Sequence, residues 1–241
     1  MKRLVSILLF CSVLLLSAAP ARAQAASPEV KAFQDSAGDR SVLFRGKQAT
    51  RYDFLANGHP YWSTREFING TIEFEGNCYY DVPLNIDAVA QQALVRMSNN
   101  WLAIALLPSQ VAFLDIQGHH FVSSGPDRDA LPEGFYEVFG QGPHQVYKHV
   151  SKQLRSSTNN ANGDTIGYYD PDYRSDILRH FAIDTNYYFR DSDGHFSRFK
   201  GRNALLRKFP ARKKEIRRAL RGLPATDFDT FCVEVLKLAD R

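Results

Sequence analysis

The sequence predicts an α+β protein: a mainly antiparallel β meander, arranged as a sandwich or an open barrel, followed by a small helical C-terminal unit. Three observations support this fold class. Turn residues recur roughly every 8 to 12 residues between residues 41 and 154, which is typical of all-β proteins. Apolar and polar residues alternate between these turns. After residue 200 the apolar spacing changes to three and four, the period of an α-helix.

The N-terminus has the pattern of a secretory signal peptide. Lys2 and Arg3 precede an apolar run from Leu4 to Leu16, and Ala21-Arg22-Ala23 ends the segment. This order predicts cleavage after Ala23 and a periplasmic or secreted protein. The apolar run is too short for a bilayer span, which needs roughly 20 residues, so we expect no transmembrane segment after cleavage. The predicted division is a signal peptide (1–23), a flexible N-terminal segment (24–40), a β-rich body (41–200) and a helical C-terminal unit (201–241).

The body contains several hairpin signals. Thr71 to Glu75 alternates, Gly76-Asn77 supplies a two-residue turn, and Tyr79 to Ile86 resumes an extended pattern, which together predict a hairpin. Further along the chain, Ser98-Asn99-Asn100 and Gln117-Gly118 separate other strand candidates in the same way. The polar stretch from Ser156 to Asp164 has nothing to bury, so we expect a mobile loop there.

The C-terminal unit has helix start and stop signals. Asp191 to Gly194 is a turn by composition, and Asn203 is a candidate N-cap for a short helix. Pro210 suits the first turn of a second helix and Gly222 its end. Thr226 with Asp229 resembles a capping pair that begins a last helix, in which apolar residues recur at three-and-four spacing.

Charge is unevenly distributed along the chain. The net charge of +4 falls to +1 when the signal peptide is removed, and the remainder divides into −7 over residues 24–197, +10 over 198–221 and −2 over 222–241. The basic segment could contact an anionic lipid surface or an acidic envelope protein, or be a solvated face that the acidic body partly neutralises. Nucleic acid is not an expected partner, because aromatic residues are not interleaved with the cations. The candidate contact residues are Arg207, Lys208, Arg212, Lys213, Lys214, Arg217, Arg218 and Arg221.

No catalytic, cofactor or metal site is predicted. His119 and His120 are adjacent, so on a strand they point to opposite faces and cannot bind one ion together. Asp170, Asp172 and Asp176 lack the glycine and the distal glutamate of a calcium loop, and Asp191 to Gly194 is interpreted first as a turn. Cys78 and Cys232 are far apart in the sequence, and their spacing is compatible with a disulfide between them or with two free thiols.

Several stretches resemble a family of uncharacterised exported proteins common in Bacteroidetes. The most specific is a C-terminal motif, Leu-Leu-x-x-Phe-Pro-x-x-Lys-Lys-Glu, within Asn203 to Ile216. The resemblance implies an envelope location and a β body with a helical end, and it assigns no catalytic or binding residue. The other matching stretches are His59 to Trp62, Glu66 to Thr71, Tyr80 to Asn85 and Gly134 to Val138, with Gly142 after the last.

These observations favour a non-enzymatic binding or accessory protein of the bacterial cell envelope, whose ligand is unknown and whose basic helix contacts an anionic surface or partner. One alternative is an envelope hydrolase that uses carboxylates, His119 or His120 in a cleft at the strand ends. Another is a structural or assembly module of an envelope complex. Aromatic residues could line a binding groove or fill the core: Tyr61, Trp62, Tyr79, Tyr80, Tyr136, Tyr168 and Tyr169.

Overall fold

A computed structural model describes residues 28–98, 102–124, 130–158, 177–224 and 227–241. Its main feature is one open sheet of eleven antiparallel strands. The predicted fold class is confirmed, and the strands form a single open sheet. Their bounds are β1 Lys47–Gln48, β2 Ile68–Phe74, β3 Asn77–Asp87, β4 Gln92–Arg96, β5 Ala103–Leu106, β6 Val111–Ile116, β7 His119–Ser123, β8 Phe135–Phe139, β9 Gln145–Thr158, β10 Ile177–Arg190 and β11 Phe196–Phe199.

The sheet consists of two meanders joined side by side. Its strand order is β1-β5-β4-β3-β2-β6-β7-β8-β9-β10-β11. Strand β2 therefore has β3 on one side and β6 on the other, and the β2·β6 pairing connects the two meanders. The longest ladder joins β9 to β10 over fourteen residue pairs, from Gln145↔Arg190 to Thr158↔Ile177.

Most of the predicted turns are found, some with shifted bounds. The first hairpin turns at Glu75-Gly76, one residue earlier than predicted, because both residues have positive φ while Asn77 already begins β3. Gln117-Gly118 forms the predicted turn between β6 and β7, again with two positive φ angles. The predicted loop at Ser156 is wrong in its first three residues, which extend β9 and pair with β10; its remainder lies outside the described residues, as do 99–101.

The core divides into two main apolar clusters. The first packs on one face of β2 to β8 and includes Ile72, Leu84 and Leu114, all fully or almost fully buried. The second lies between the C-terminal helices and the end of the sheet, where Val146 and Phe189 meet helix residues. A smaller cluster around Tyr136 covers part of the opposite face.

Among the residues that the structure describes, four α-helices accompany the sheet: α1 Pro28–Ala37, α2 Arg202–Leu206, α3 Lys213–Ala219 and α4 Phe228–Ala239. Three short 3₁₀ turns lie at Gly38–Arg40, Val42–Phe44 and Pro108–Gln110. Helix α1 falls in the segment predicted to be flexible, and its Gln34 tethers it to β3 by donating to the Cys78 carbonyl at 2.7 Å.

The predicted helix caps need correction. Gly201, with φ of 78°, is the N-cap of α2, so Asn203 lies inside that helix. Helix α3 begins after Pro210, with Arg212 as its N-cap. Helix α4 is capped by Asp227, whose side chain accepts from the Thr230 N–H at 3.0 Å; Thr226 lies outside the described residues.

Two further features are resolved by the structure. Within the described ranges, none of the helices has the length and apolar character needed to cross a membrane. Cys78 on β3 and Cys232 on α4 are free thiols, so the disulfide between them is not formed.

Candidate functional site

The eight predicted cations lie on or beside the short helices α2 and α3, and we call this set the basic surface. Ile216 is fully buried and marks the inward side of α3. At about 100° per residue, Lys214 and Arg218 lie on the opposite, outward side, and both are exposed. Arg207 and Arg221, just beyond the ends of α2 and α3, are exposed as well.

Three members of the basic surface are held by neighbouring side chains. Arg212 forms an ion pair with Glu215 at 3.1 Å and donates to the Ala239 carbonyl. Lys208 donates to Ser197 Oγ at 2.8 Å, and Arg217 donates to Asn203 Oδ1 at 3.2 Å. The other five form no ion pair with any residue that the structure describes: Arg207, Lys213, Lys214, Arg218 and Arg221.

Carboxylates of the last helix do not neutralise this surface. Asp227 caps α4 and Asp229 contacts Lys148. Glu234 pairs with Lys237 at 2.7 Å, and Asp240 pairs with His144 at 2.6 Å. The carboxylates of α4 therefore contact other groups, and Glu215 is the one described carboxylate that forms an ion pair with the basic surface.

A cleft of about 520 Å³ forms where the segment from Gln48 to Phe67 crosses the sheet. Its apolar lining comes from Phe54 and Phe67 of this segment, Leu94 of β4 and Phe181 of β10. The volume lies within the range of about 300–1,000 Å³ that is usual for small-molecule sites. The remaining lining residues used below are Arg51, Tyr52, Asp53, Gly58, His59, Tyr61 and Arg65.

Buried polar groups support one wall of the cleft. Asp87, at the end of β3, is 1 % exposed and accepts from the Tyr52 hydroxyl at 2.9 Å and from the N–H groups of Val89 and Ala90. Burial, followed by the hydrogen bond to Asp87, raises the pKa of Tyr52 well above its ordinary value. The Tyr52 hydroxyl therefore stays protonated at neutral pH and donates to the carboxylate.

Lys152 of β9 lies beneath the same wall. Its Nζ donates to the carbonyl oxygens of His59, at 3.0 Å, and Tyr61. Burial lowers the pKa of Lys152, and the pKa of His59 is lowered by burial and then by the charges of Lys152 and Arg65. The His59 ring is thus neutral at pH 7, and no described carboxylate forms an ion pair with Lys152.

A chain of titratable side chains, which we call the charged seam, runs between the two main apolar clusters. His119 Nδ1 lies 2.5 Å from Oε1 of Glu137, a residue only 4 % exposed. Lys148 Nζ lies 3.4 Å from Glu137 Oε2 and 2.5 Å from Asp229 Oδ2. The Tyr187 hydroxyl donates to Asp229 Oδ1 at 2.8 Å. The seam therefore connects β7, β8, β9 and β10 to helix α4.

The other histidines are held separately. His120 pairs with Asp115 at 2.7 Å, on the face opposite His119 as predicted. His149 contacts Gln91 and stacks on Tyr136. Asp191, Asp193 and His195 have ligand atoms within 4.8 Å of one another, but Asp191 Oδ1 accepts two backbone N–H groups of this turn, which confirms the predicted turn. Asp170, Asp172 and Asp176 lie outside the described residues.

Of the five aromatic groove candidates within the described residues, only Tyr61 lines the cleft. Trp62 packs edge-on against Phe121 in the first core cluster, and Tyr79 packs on that cluster too. Tyr136 is fully buried in the core, and Tyr80 is not among the cleft residues. Tyr168 and Tyr169 lie outside the described residues.

Sequence reasoning missed the cleft and the charged seam. The seam did leave a signal: Glu137 lies between Phe135 and Phe139 with the period of a strand, so its side chain points inward with them. Lys148 likewise lies two residues after Val146 in β9, so the two side chains share a face of the sheet. The cleft left a weaker signal, an aromatic-rich stretch around Tyr52 that shows no strand alternation.

No family model, curated protein or solved structure matches the chain.

Proposed function

We propose that the chain is a non-enzymatic, exported binding protein of the bacterial cell envelope that docks on anionic phospholipid through its basic surface. One observation carries the proposal: five exposed or partly exposed cations on and around α3 have no acidic partner among the described residues. Export rests on the signal-peptide pattern of residues 1–23. An envelope protein with this surface meets phospholipid headgroups of opposite charge.

The expected affinity follows from the number of free cations. A Lys or Arg near an anionic membrane surface contributes about 1 kcal/mol. Five such residues contribute about 5 kcal/mol together, and this attraction weakens as salt shortens the Debye length. The helical unit that presents them is held together internally, because Arg202 of α2 donates to the carbonyl groups of Leu223 and Asp227 and stacks on Phe231 of α4. The cations therefore approach the membrane as one preformed surface.

Vesicle co-sedimentation tests the proposal. The mature protein should bind vesicles containing about one third phosphatidylglycerol in low salt and be released near 0.5 M NaCl, and it should not bind neutral phosphatidylcholine vesicles, because only the charge of the lipid differs. Replacing Lys214, Arg218 and Arg221 together by Gln should remove about 3 kcal/mol, which is a more than 100-fold loss of partitioning.

The matched control variant also removes three positive charges, but from residues outside the basic surface. Arg40, Arg45 and Lys47 are exposed and lie at the other end of the chain, so replacing them together by Gln should leave binding within about twofold. Equal losses in the two triple variants would overturn the proposal, since net charge alone would then explain binding. Binding that needs an acidic envelope protein and is absent with pure lipid would overturn it as well.

A hydrolase is the second candidate function, favoured by the His119–Glu137 pair. A buried carboxylate that fixes one ring nitrogen leaves the other nitrogen available as a general base. The His119 ring also packs against the Trp62 ring, with the two ring centroids 5.0 Å apart. This candidate predicts hydrolysis of p-nitrophenyl acetate that His119→Gln abolishes and His120→Gln preserves, whereas the binding proposal predicts no turnover above that of a denatured sample.

A further inference from the structure

The cleft has an apolar half built from aromatic rings. Tyr52 packs edge-on against Phe54 and Phe181, with ring centroids 6.1 and 5.8 Å apart. Phe54 and Phe181 are stacked at 6.4 Å. On the other side, Phe67 packs against Tyr61 at 6.4 Å. These rings support one another, so the apolar walls exist before any ligand enters, which reduces the entropy lost on binding.

The mouth of the cleft carries an uncompensated positive charge. Arg51 is neutralised by Asp53 at 3.3 Å. The exposed Arg65, in contrast, donates to the Gly58 carbonyl at 2.7 Å and forms no ion pair with any described residue. A guanidinium held by one hydrogen bond retains several free donors, and their fork geometry matches a carboxylate.

Two buried charged groups lie behind the wall of the cleft, outside its lining. The carboxylate of Asp87 is engaged by the Tyr52 hydroxyl and two backbone N–H groups. Lys152 is 6 % exposed and is bonded only to carbonyl oxygens among the described groups. Arg51 and Asp53 cancel each other, and the two cations Arg65 and Lys152 outweigh the single carboxylate of Asp87, so an anion in the cleft meets a favourable field and a cation an unfavourable one.

From this arrangement we infer that the cleft binds a small monocarboxylate with an apolar body, such as a medium-chain fatty acid, with the acid group on Arg65 and the chain against Phe54, Phe67 and Phe181. The volume of about 520 Å³ accommodates one such molecule. This ligand site goes beyond the proposed membrane docking and lies on different residues, so either can fail without the other.

Isothermal titration calorimetry with decanoate, decylamine and decanol, all below their micelle concentrations, tests the inference. Decanoate should bind in a saturable 1:1 complex at least tenfold more tightly than decylamine, since the two share an apolar chain and carry headgroups of opposite charge. Arg65→Gln should weaken decanoate binding at least tenfold and leave decanol binding within about twofold. Arg155→Gln, which removes an exposed cation of β9 outside the cleft, should change neither.

Three results would overturn the inference. One is equal affinity for decanoate and decylamine, which would show that the cleft does not discriminate by charge. The second is decanoate binding that Arg65→Gln leaves unchanged. The third is an absence of saturable binding in protein whose circular dichroism shows it folded. The vesicle variant with Lys214, Arg218 and Arg221 replaced should keep full decanoate affinity, which separates this test from that of membrane docking.

Discussion

Replacing Lys148 by Met should destabilise the protein strongly, because its ammonium group lies between two carboxylates in the charged seam. Glu137 is 4 % exposed and lies 3.4 Å from Lys148 Nζ, and Asp229 lies 2.5 Å from it. Burial alone lowers the pKa of Lys148, but the hydrogen bond to Asp229 and the charges of Glu137 and Asp229 outweigh it, so the pKa is raised.

The magnitude follows from what the substitution leaves behind. Removing one partner of a buried ion pair costs about 3–5 kcal/mol, because the remaining charge stays buried without compensation. We expect the lower end, about 3 kcal/mol, since Glu137 keeps His119 at 2.5 Å and Asp229 keeps the Tyr187 hydroxyl at 2.8 Å. With an m-value of about 2–3 kcal/mol/M in urea, the midpoint of unfolding falls by roughly 1–1.5 M.

Urea unfolding at pH 7, followed by circular dichroism, measures this shift. Lys237→Met is the matched control, because Lys237 pairs with Glu234 at a similar distance of 2.7 Å but its side chain is 60 % exposed. Such surface pairs contribute about 0.3–0.5 kcal/mol. A triple variant, Lys148→Met with Glu137→Gln and Asp229→Asn, removes all three charges and should recover much of the loss. Equal small shifts for Lys148→Met and Lys237→Met would refute the reasoning.

Two further predictions concern backbone packing and alkaline pH. Gly70→Ala should lower the free energy of unfolding by about 1–3 kcal/mol, because a Cβ there would lie 2.2 Å from the Asp115 carbonyl oxygen across the β2·β6 ladder. A Cβ at Gly222 meets nothing within 4 Å, so Gly222→Ala should change the free energy of unfolding by less than about 0.5 kcal/mol. Urea unfolding of both variants checks this, and similar values for the two would contradict it. Burial raises the pKa of Tyr52, Tyr136 and Tyr187 in the folded protein, so their contribution to stability is complete below the unfolded-state pKa of about 10 and is lost as pH rises above it. Absorbance at 295 nm during an alkaline titration should show these three ionising only as the protein unfolds, and a reversible titration of all tyrosines in folded protein would count against it.

Much of the local structure could be predicted from the sequence. Alternating residues around Ile72, the Gln117-Gly118 turn and the three-and-four spacing in α4 each act over a few residues, and each is found. The errors are local as well. The first hairpin turns one residue earlier than predicted because Glu75 has a positive φ, which its residue type does not indicate. The cap of α4 is Asp227 because its carboxylate reaches the Thr230 N–H.

The candidate sites also differ in how far they could be predicted from the sequence. The cations of the basic surface could be listed from the sequence because all eight lie within residues 207–221. The cleft could not be predicted, because Tyr52, Asp87, Lys152 and Phe181 come from four distant parts of the chain. Nothing in the neighbours of Lys152 indicates that it will lie beneath the loop that carries His59.

By itself, the sequence determined the α+β class, several of the turns between strands, the helical C-terminal unit and the concentration of positive charge within it. The tertiary structure alone decided that β2 pairs with β6, that a charged seam separates the two main clusters, and that an aromatic cleft forms over Asp87. The physical reason is that side-chain alternation fixes which face of a strand is buried but not which strand lies beside it. The free energy of closing different loops varies too slowly with length to select a partner, so that choice depends on packing across the whole sheet.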